Sequence, residues 1–484
     1  MKPTNLLFIM SDEHNRSVLG AAGHPMVRTP NLDRLGARGT RFTDAYCNSP
    51  ICVPSRASFA TGRYVHDIRR WDNATPYDGT IPSWHHRLRA AGHHVTSIGK
   101  LHFRSSDDDN GFSEEMMPLH VPYGIGDPLA LIRHDPPARN ETLKLGLEAG
   151  RGDSSYQGYD DRITAAAEQW LRQRAHESAG KPWMLFVSLV CPHFPLIARP
   201  EWYDLYPEAE VPWPPLYAES ERPRHPFITA MRKIYTYDES FDEQRVRRAI
   251  AAYLGLVSFM DHNVGRLLRA LEETGLAGST RVIYTSDHGD NLGARGLWGK
   301  STMYEASAGV PLIMSGPDIP EGFVCREPVT LVDGYPTILD CVGLERSASE
   351  ADLPGTSWLD VLRGERPRRP AFCEYHTTGA ITAAFMLRKG RFKYVHYVGM
   401  PPQLFDLDAD PGEVRDLGSD AGYAGLVAQC ESELRAIVVP EAADRMALAD
   451  QAKQIERFGG REAILTKGAY SYSPVPGTEA AYSA

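Results

Sequence analysis

Five apolar residues in a row, Leu6 to Met10, stand near the start of the chain, and Ser11, Asp12, Glu13 and His14 follow at once. A continuous rather than alternating apolar run predicts a parallel strand buried on both faces. Three later strands are predicted, the last from its β-forming residues. His93 to Ile98 runs into Gly99-Lys100-Leu101-His102, Pro182 to Val190 into Cys191-Pro192-His193, and Arg281 to Ser286 into Asp287-His288-Gly289-Asp290. Each of the four ends in groups that can hold a metal or an anion, and open α/β sheets place ligands at the carboxyl ends of their strands. Further strands are predicted over Phe42 to Tyr46 and Val310 to Met314.

Helical spacing fills the intervals between strands. Thr29 caps and Pro30 opens a helix through Leu35. Ile81 to Ala91 stops at Gly92, Asp161 to Ala175 is amphipathic, and Gly334 to Val342 is short. Asp242 to Gly275 reads as one long helix with a kink near Gly255. Two stretches carry no regular period. Ser105 to Gly158 is rich in Asp, Gly and Pro and reads as an insertion lining a cleft; Trp202 to His225, rich in Pro and aromatics, reads as a cleft wall.

From Ala371 the texture changes to short β segments: Ala371 to Glu374, Ile381 to Leu387, Phe392 to Tyr397 and Gln403 to Asp406. Arg388 to Arg391 forms a turn between two of them, and a helix from about Tyr423 to Val438 closes the series. The residues beyond Glu441 show no apolar period of their own but carry Tyr470, Tyr472 and Tyr482. The expected division is a catalytic α/β body over 1–370, an antiparallel sheet-plus-helix unit over 371–440, and a tail over 441–484. The tail is expected to dock on another subunit of a homo-oligomer, a dimer or tetramer.

Composition narrows the function. The chain has 484 residues, 42% hydrophobic and 24% charged, as in an ordinary globular protein. A net charge of −10 leaves no basic footprint for nucleic acid. A protein of this charge that handles anions must concentrate its cations locally. Seven scattered cysteines do not make a disulfide framework. The first residues lack the long apolar region of a signal peptide, and the longest later run, Trp183 to Val190, cannot span a bilayer. No membrane association is expected, and the location is expected to be cytoplasmic.

The densest chemistry lies in Cys52-Val53-Pro54-Ser55-Arg56-Ala57-Ser58-Phe59-Ala60-Thr61-Gly62. Pro54 pre-sets the first turn of a helix that Ser55 to Ala60 continues. Cys52 is expected just before it, where the macrodipole favours negative charge. Arg56, one turn on, can point at the same anion. Lys100 and His102, two apart on an extended segment, should share a side and form an anion grip. Asp12, and the neighbours Asp287 and His288, are natural ligands for a divalent ion. Asn73 could reach the anion or substrate, but a turn residue is the better reading.

The Cys-x-Pro-Ser-Arg run with its Thr-Gly stop resembles the signature of the type I sulfatases. Thr29 to Leu35, Gly99-Lys100-Leu101-His102, His193 between its prolines, and Lys300 are similar to further motifs of that family. The resemblance covers nearly the whole chain to about Val438. It implies an alkaline-phosphatase-like α/β sandwich, a large, mostly parallel sheet between helices with a small C-terminal antiparallel sheet. It also implies conversion of Cys52 to Cα-formylglycine by a formylglycine-generating or sulfatase-maturing enzyme. A divalent ion, Ca²⁺ or Mn²⁺, would be held by Asp12, Cys52, Asp287 and His288. Glu13 stands where the family often has a second Asp, so its ligand role is not carried over. By the same resemblance Lys100, Lys300 and His193 hold the sulfuryl oxygens, His193 or Lys300 protonates the leaving oxygen, His102 takes the proton in the second step, and Arg56 stabilises the diol. The substrate is then a small sulfate monoester. A phosphonate-monoester or phosphodiester hydrolase of the same superfamily, and a non-catalytic anion-binding protein on the same fold, remain as alternatives.

Overall fold

The computed structural model describes residues 2–139, 141–176, 180–365, 369–469 and 472–480. Among them, eight strands make the main sheet: β1 (Asn5–Asp12), β2 (Gly39–Phe42), β3 (Val95–Lys100), β4 (Glu114–Leu119), β5 (Met184–Pro192), β6 (Thr280–Ser286), β7 (Leu312–Ser315) and β8 (Phe323–Cys325). Their spatial order is β8-β2-β7-β6-β1-β5-β3-β4. Only β7 opposes the rest, pairing antiparallel with both β6 and β2. β1 therefore lies at the centre, parallel to β5 on one side and β6 on the other.

Apolar side chains on both faces of β1 explain that central place. Phe8 packs on Phe59 of helix α1 (Cys52–Thr61), with ring centroids 5.1 Å apart. Its neighbour Ile9 points to the opposite face. There it sits in register with Tyr284, whose hydroxyl meets Met260. Met260 belongs to the long helix α3 (Glu243–Glu273), which packs beside α2 (Ser155–Arg174) on this second face.

Several expectations are corrected here. The Ser105–Gly158 segment is not wholly irregular, because it contributes β4 at the sheet edge and a helix over Glu141–Glu148. α3 runs unbroken through Gly255. That glycine serves close packing instead: a Cβ there would lie 3.2 Å from the Trp202 backbone. The C-terminal sheet comprises β9 (Ala371–Tyr375), β10 (Ala384–Lys389), β11 (Phe392–Tyr397) and β12 (Gln403–Asp406), all antiparallel. The tail does fold, as α4 (Pro440–Arg457) and α5 (Arg461–Lys467). It docks on its own chain. Asp450 accepts from the Trp71 indole at 3.0 Å, Asp444 from Arg133 at 2.6 Å, and Gln451 donates to Asp72 at 3.1 Å. Ile464 joins a small apolar cluster with Leu129, Leu131 and Ile132. Polar contacts carry much of this docking, which is why no apolar period announces it. Tyr470 and Tyr482 lie outside the described residues.

Candidate active site

α1 begins at Cys52 itself, two residues earlier than expected. Ile51 is the extended cap, and Ser55 N donates to Ile51 O at 3.1 Å. The first four amides of a helix have no internal acceptor, so Pro54 fits inside that turn without loss. The helix stops at Gly62, whose φ of 66° is the left-handed closing conformation. Every residue of α1 is buried, so its first turn is fixed against the sheet.

Cys52 Sγ lies where the ends of β1 and β6 meet the loop that carries Lys300. It is 3.1 Å from His288 Nε2, 3.6 Å from Asp12 Oδ1 and 3.2 Å from Lys300 Nζ. Burial, reinforced by the Asp12 carboxylate, pushes the thiol up to about 12. Asp12, Cys52, Asp287 and His288 bring four ligand atoms within 4.8 Å of one another, all buried. His288 Nδ1 faces the Gly289 carbonyl at 3.0 Å. A proton on Nδ1 leaves Nε2 bare toward the cluster, the usual arrangement behind a metal-ligating histidine. Burial opposes the Asp12 charge, but Lys100, His193, Arg56 and Lys300 outweigh it and hold this carboxyl well below the usual range. Two carboxylates and one imidazole, with a protonated thiol, fit a hard or borderline divalent ion rather than a zinc–thiolate centre.

Arg56 is tied down on all sides. Nε donates to Asp287 Oδ2 at 2.7 Å, Nη2 to Asp12 Oδ2 at 3.3 Å, and Nη1 to the Lys100 carbonyl and Ser188 Oγ at 2.8 and 2.9 Å. The guanidinium thus braces both carboxylates and the end of β3 at once. The Lys100 ammonium pairs with Asp12.

On the opposite side of Cys52 stand Lys300, His193 and Glu13. Lys300 Nζ donates to Glu13 Oε2 at 3.1 Å and to His193 Nε2 at 2.9 Å. Burial disfavours the ammonium, but Cys52, Glu13 and Asp12 outweigh that and hold its pKa well above the ordinary value. Burial and Lys300 push His193 well down, so its ring is neutral. Its Nδ1–H is used on Phe194 O at 2.6 Å. Glu13 is pushed up to about 7 by burial against the pull of Lys300. One of its oxygens, Oε1, is buried without a hydrogen-bond partner among the described residues.

The expected pairing of Lys100 and His102 on one side of a strand does not occur. β3 ends at Lys100, and His102 takes a left-handed φ of 55° that breaks the alternation. Lys100 turns to Asp12, whereas His102 Nε2 meets Ser473 Oγ at 2.9 Å. Both ends of the grip still belong to one centre: burial, Lys100 and Arg56 together push the His102 pKa well down.

Three supporting residues, Asp160, Asp290 and Ser473, escaped the sequence reading, and the turn reading of Asn73 is incomplete. Asp160 of α2 accepts from Val190 N and Cys191 N at 2.8 Å each, fixing the strand end before His193. Asp290 Oδ1 accepts from Leu292 N at 2.6 Å and Gly299 N at 3.0 Å, closing the loop that presents Lys300. Asn73 Oδ1 faces Val53 N at 3.4 Å and lines the cleft rather than merely turning the chain. Ser473 lies 371 residues from His102. Of these, only Asp290 had a local signal, as the last member of Asp-His-Gly-Asp.

The cleft over Cys52 opens to solvent, and the empty space within it and its mouth is about 920 Å³. Its outer walls come from Asp127, Arg139 and Leu145 of the insertion, Tyr235, Trp298 and Tyr472. The Trp202–His225 stretch, expected as a wall, contributes no lining residue among those described.

A large parallel sheet with carboxylates, imidazole and cations gathered at its strand ends defines an alkaline-phosphatase-like hydrolase acting on an anionic ester. The chain belongs to the sulfatase family, whose profile, described as sulfatase, matches residues 4–344. A second profile, N-sulphoglucosamine sulphohydrolase, C-terminal, matches residues 293–439. Over 426 residues the chain is 34% identical to a choline-sulfatase from Rhizobium meliloti (strain 1021), covering 86% of this chain and 82% of that one. Over 459 residues it is 30% identical to arylsulfatase K from Danio rerio, covering 90% and 83%. The solved phosphonate monoester hydrolase from Silicibacter pomeroyi superposes with a TM-score of 0.70 at 26% identity, over 89% of this chain and 94% of that one. The chain is accordingly a sulfuric ester hydrolase.

Proposed function

We propose that the chain hydrolyses small sulfate monoesters at Cys52, converted to formylglycine by a maturing enzyme, beside one divalent ion, Ca²⁺ or Mn²⁺, held by Asp12, Asp287 and His288. The observation that carries this reading is the convergence of His288, Asp12 and Lys300 on a single sulfur. When present, the ion neutralises the anionic ester and acidifies the oxygen it binds, and formylglycine supplies a hydrated aldehyde as nucleophile.

The chain's own residues divide the remaining work. Lys300 carries fixed positive charge to the sulfuryl group, as electrostatic stabilisation of an anionic transition state requires. Lys300 also holds the proton available to a leaving oxygen, because His193 Nε2 accepts from it and has none to give. Arg56 acts through Asp12 and Asp287, orienting both. Cys52 itself is buried at the foot of the cleft.

A panel of kcat/KM values for aryl, choline and sugar sulfates beside phosphate diesters and phosphonates tests the reading, together with mass spectrometry of the Cys52 peptide. Sulfate esters should lead, and the peptide should show the thiol replaced by an aldehyde or its hydrate. Active enzyme with unmodified Cys52 refutes the nucleophile. The Asp287-His288 pair and the likeness to a phosphonate monoester hydrolase favour one second reading, in which phosphonates or diesters lead the panel. The same proposal places the enzyme in the cytoplasm as a dimer or tetramer, supported by the exposed apolar residues Val439 and Met446 near the start of the tail.

A further inference from the structure

The C-terminal segment reaches into the centre of the molecule. Ser473 is buried, and its backbone carbonyl accepts from the Tyr156 hydroxyl of α2 at 2.6 Å. Tyr472 packs edge-on against the same Tyr156 ring, with centroids 5.3 Å apart. Both residues line the cleft over Cys52. The Ser473 hydroxyl has one partner among the described residues, Nε2 of His102 at 2.9 Å. The other ring nitrogen, Nδ1, is buried and has none. The backbone holds this ring firmly, since His102 N donates to Leu119 O at 2.9 Å while its φ stays in the left-handed region.

We propose that Ser473 is a positioning residue for His102, its hydroxyl oxygen accepting from Nε2–H so that the ring presents a bare Nδ1 to the bound ester. A neutral imidazole carries one N–H, and the partner of one nitrogen decides which nitrogen carries it. Burial, Lys100 and Arg56 together keep this ring neutral. That N–H belongs on Nε2, where Ser473 Oγ accepts it at 2.9 Å; on Nδ1 it would be a buried donor with no partner among the described residues. The lone pair on Nδ1 gives a centre crowded with donors an acceptor for a hydroxyl proton. The inference rests on the sulfate-ester reading above, and it makes the end of the chain a part of the active site.

The test uses full-length protein labelled with ¹⁵N-histidine. Long-range ¹H–¹⁵N spectra report the tautomer, and His102→Gln assigns its signals. His102 should be protonated on Nε2 in the wild type and in Ser473→Thr, but shifted or mixed in Ser473→Ala. In parallel, kcat of Ser473→Ala on a sulfate ester should fall about tenfold with KM within twofold, and Ser473→Thr should restore it. A proton on Nδ1 in the wild type, or unchanged spectra and kcat in Ser473→Ala, overturns the proposal. If Ser473→Ala does not fold, Tyr156→Phe releases the Ser473 carbonyl and should move the tautomer in the same direction; no movement overturns it equally. A wild type that turns over no sulfate ester sinks the functional reading, while the spectra still judge Ser473.

Discussion

Arg56→Ala should cost stability chiefly when the centre holds no ion. In the structure this buried guanidinium faces two buried carboxylates, at 2.7 Å from Asp287 and 3.3 Å from Asp12. Removing one partner of a buried ion pair costs about 3–5 kcal/mol, because the other charges stay behind unpaired. Lys100 still pairs with Asp12, so the loss should sit at the low end, about 3 kcal/mol. In a chain of this size that corresponds to a fall of roughly 3 °C in Tm, less per kcal/mol than in smaller domains. Scanning fluorimetry at fixed scan rate in chelator reads it. A divalent ion supplies the missing positive charge to the same two carboxylates. Titrating Ca²⁺ or Mn²⁺ should therefore raise the Tm of Arg56→Ala by more than that of the wild type. A variant within 1 °C of wild type in chelator, or equal gains from the ion in both proteins, would refute the claim that Arg56 and the ion neutralise the same charges.

Three further outcomes are expected. Cys52→Ala should lose nearly all turnover while keeping its circular dichroism and Tm close to wild type. Lys100→Ala should lower kcat/KM for sulfate monoesters on the order of a hundredfold, and for phosphate diesters much less; equal losses would discard its role in selectivity. Against burial, His66 and His376 hold the buried Glu374 carboxyl down to about 2. A carboxyl depressed in the folded state contributes stability above its unfolded pKa and loses it as pH falls toward the folded value. Glu374→Gln should therefore cost ~3 kcal/mol near neutral pH, and the gap in urea denaturation should narrow steadily below about pH 5.

Much of the site was legible because the strands that lead to it are rich in apolar and β-forming residues and end in charged or imidazole residues. Asp12, His193, Asp287 and His288 could be placed at one sheet edge from that pattern alone. Their convergence on Cys52 required the motif resemblance. β4 was missed because an edge strand needs no two-sided apolar pattern and tolerates Pro118, so Glu114–Leu119 reads as loop. The Lys100–His102 geometry was misjudged because period-two reasoning assumes extended backbone, and a left-handed φ at His102 breaks it. Asp160 and Ser473 act through hydrogen bonds to partners far away in sequence, which no local period encodes. The tail was read as lacking a core because α4 docks largely through ion pairs and amide contacts.

The burial of α1 sets a deadline. Cys52 is 1% exposed, and its whole helix is sealed beneath the sheet ends. A catalyst that changes its side chain must work before that seal forms. Lys300, which lies 3.2 Å from the Cys52 sulfur, leaves the ribosome 248 residues after Cys52. At 5–20 residues per second this gives a window of roughly 12–50 s during synthesis. On the mechanism proposed above, chains that miss it fold around an unconverted thiol and stay inert. The active fraction of a preparation is then set by the race between elongation and conversion, and slowing translation should raise it without any change in sequence.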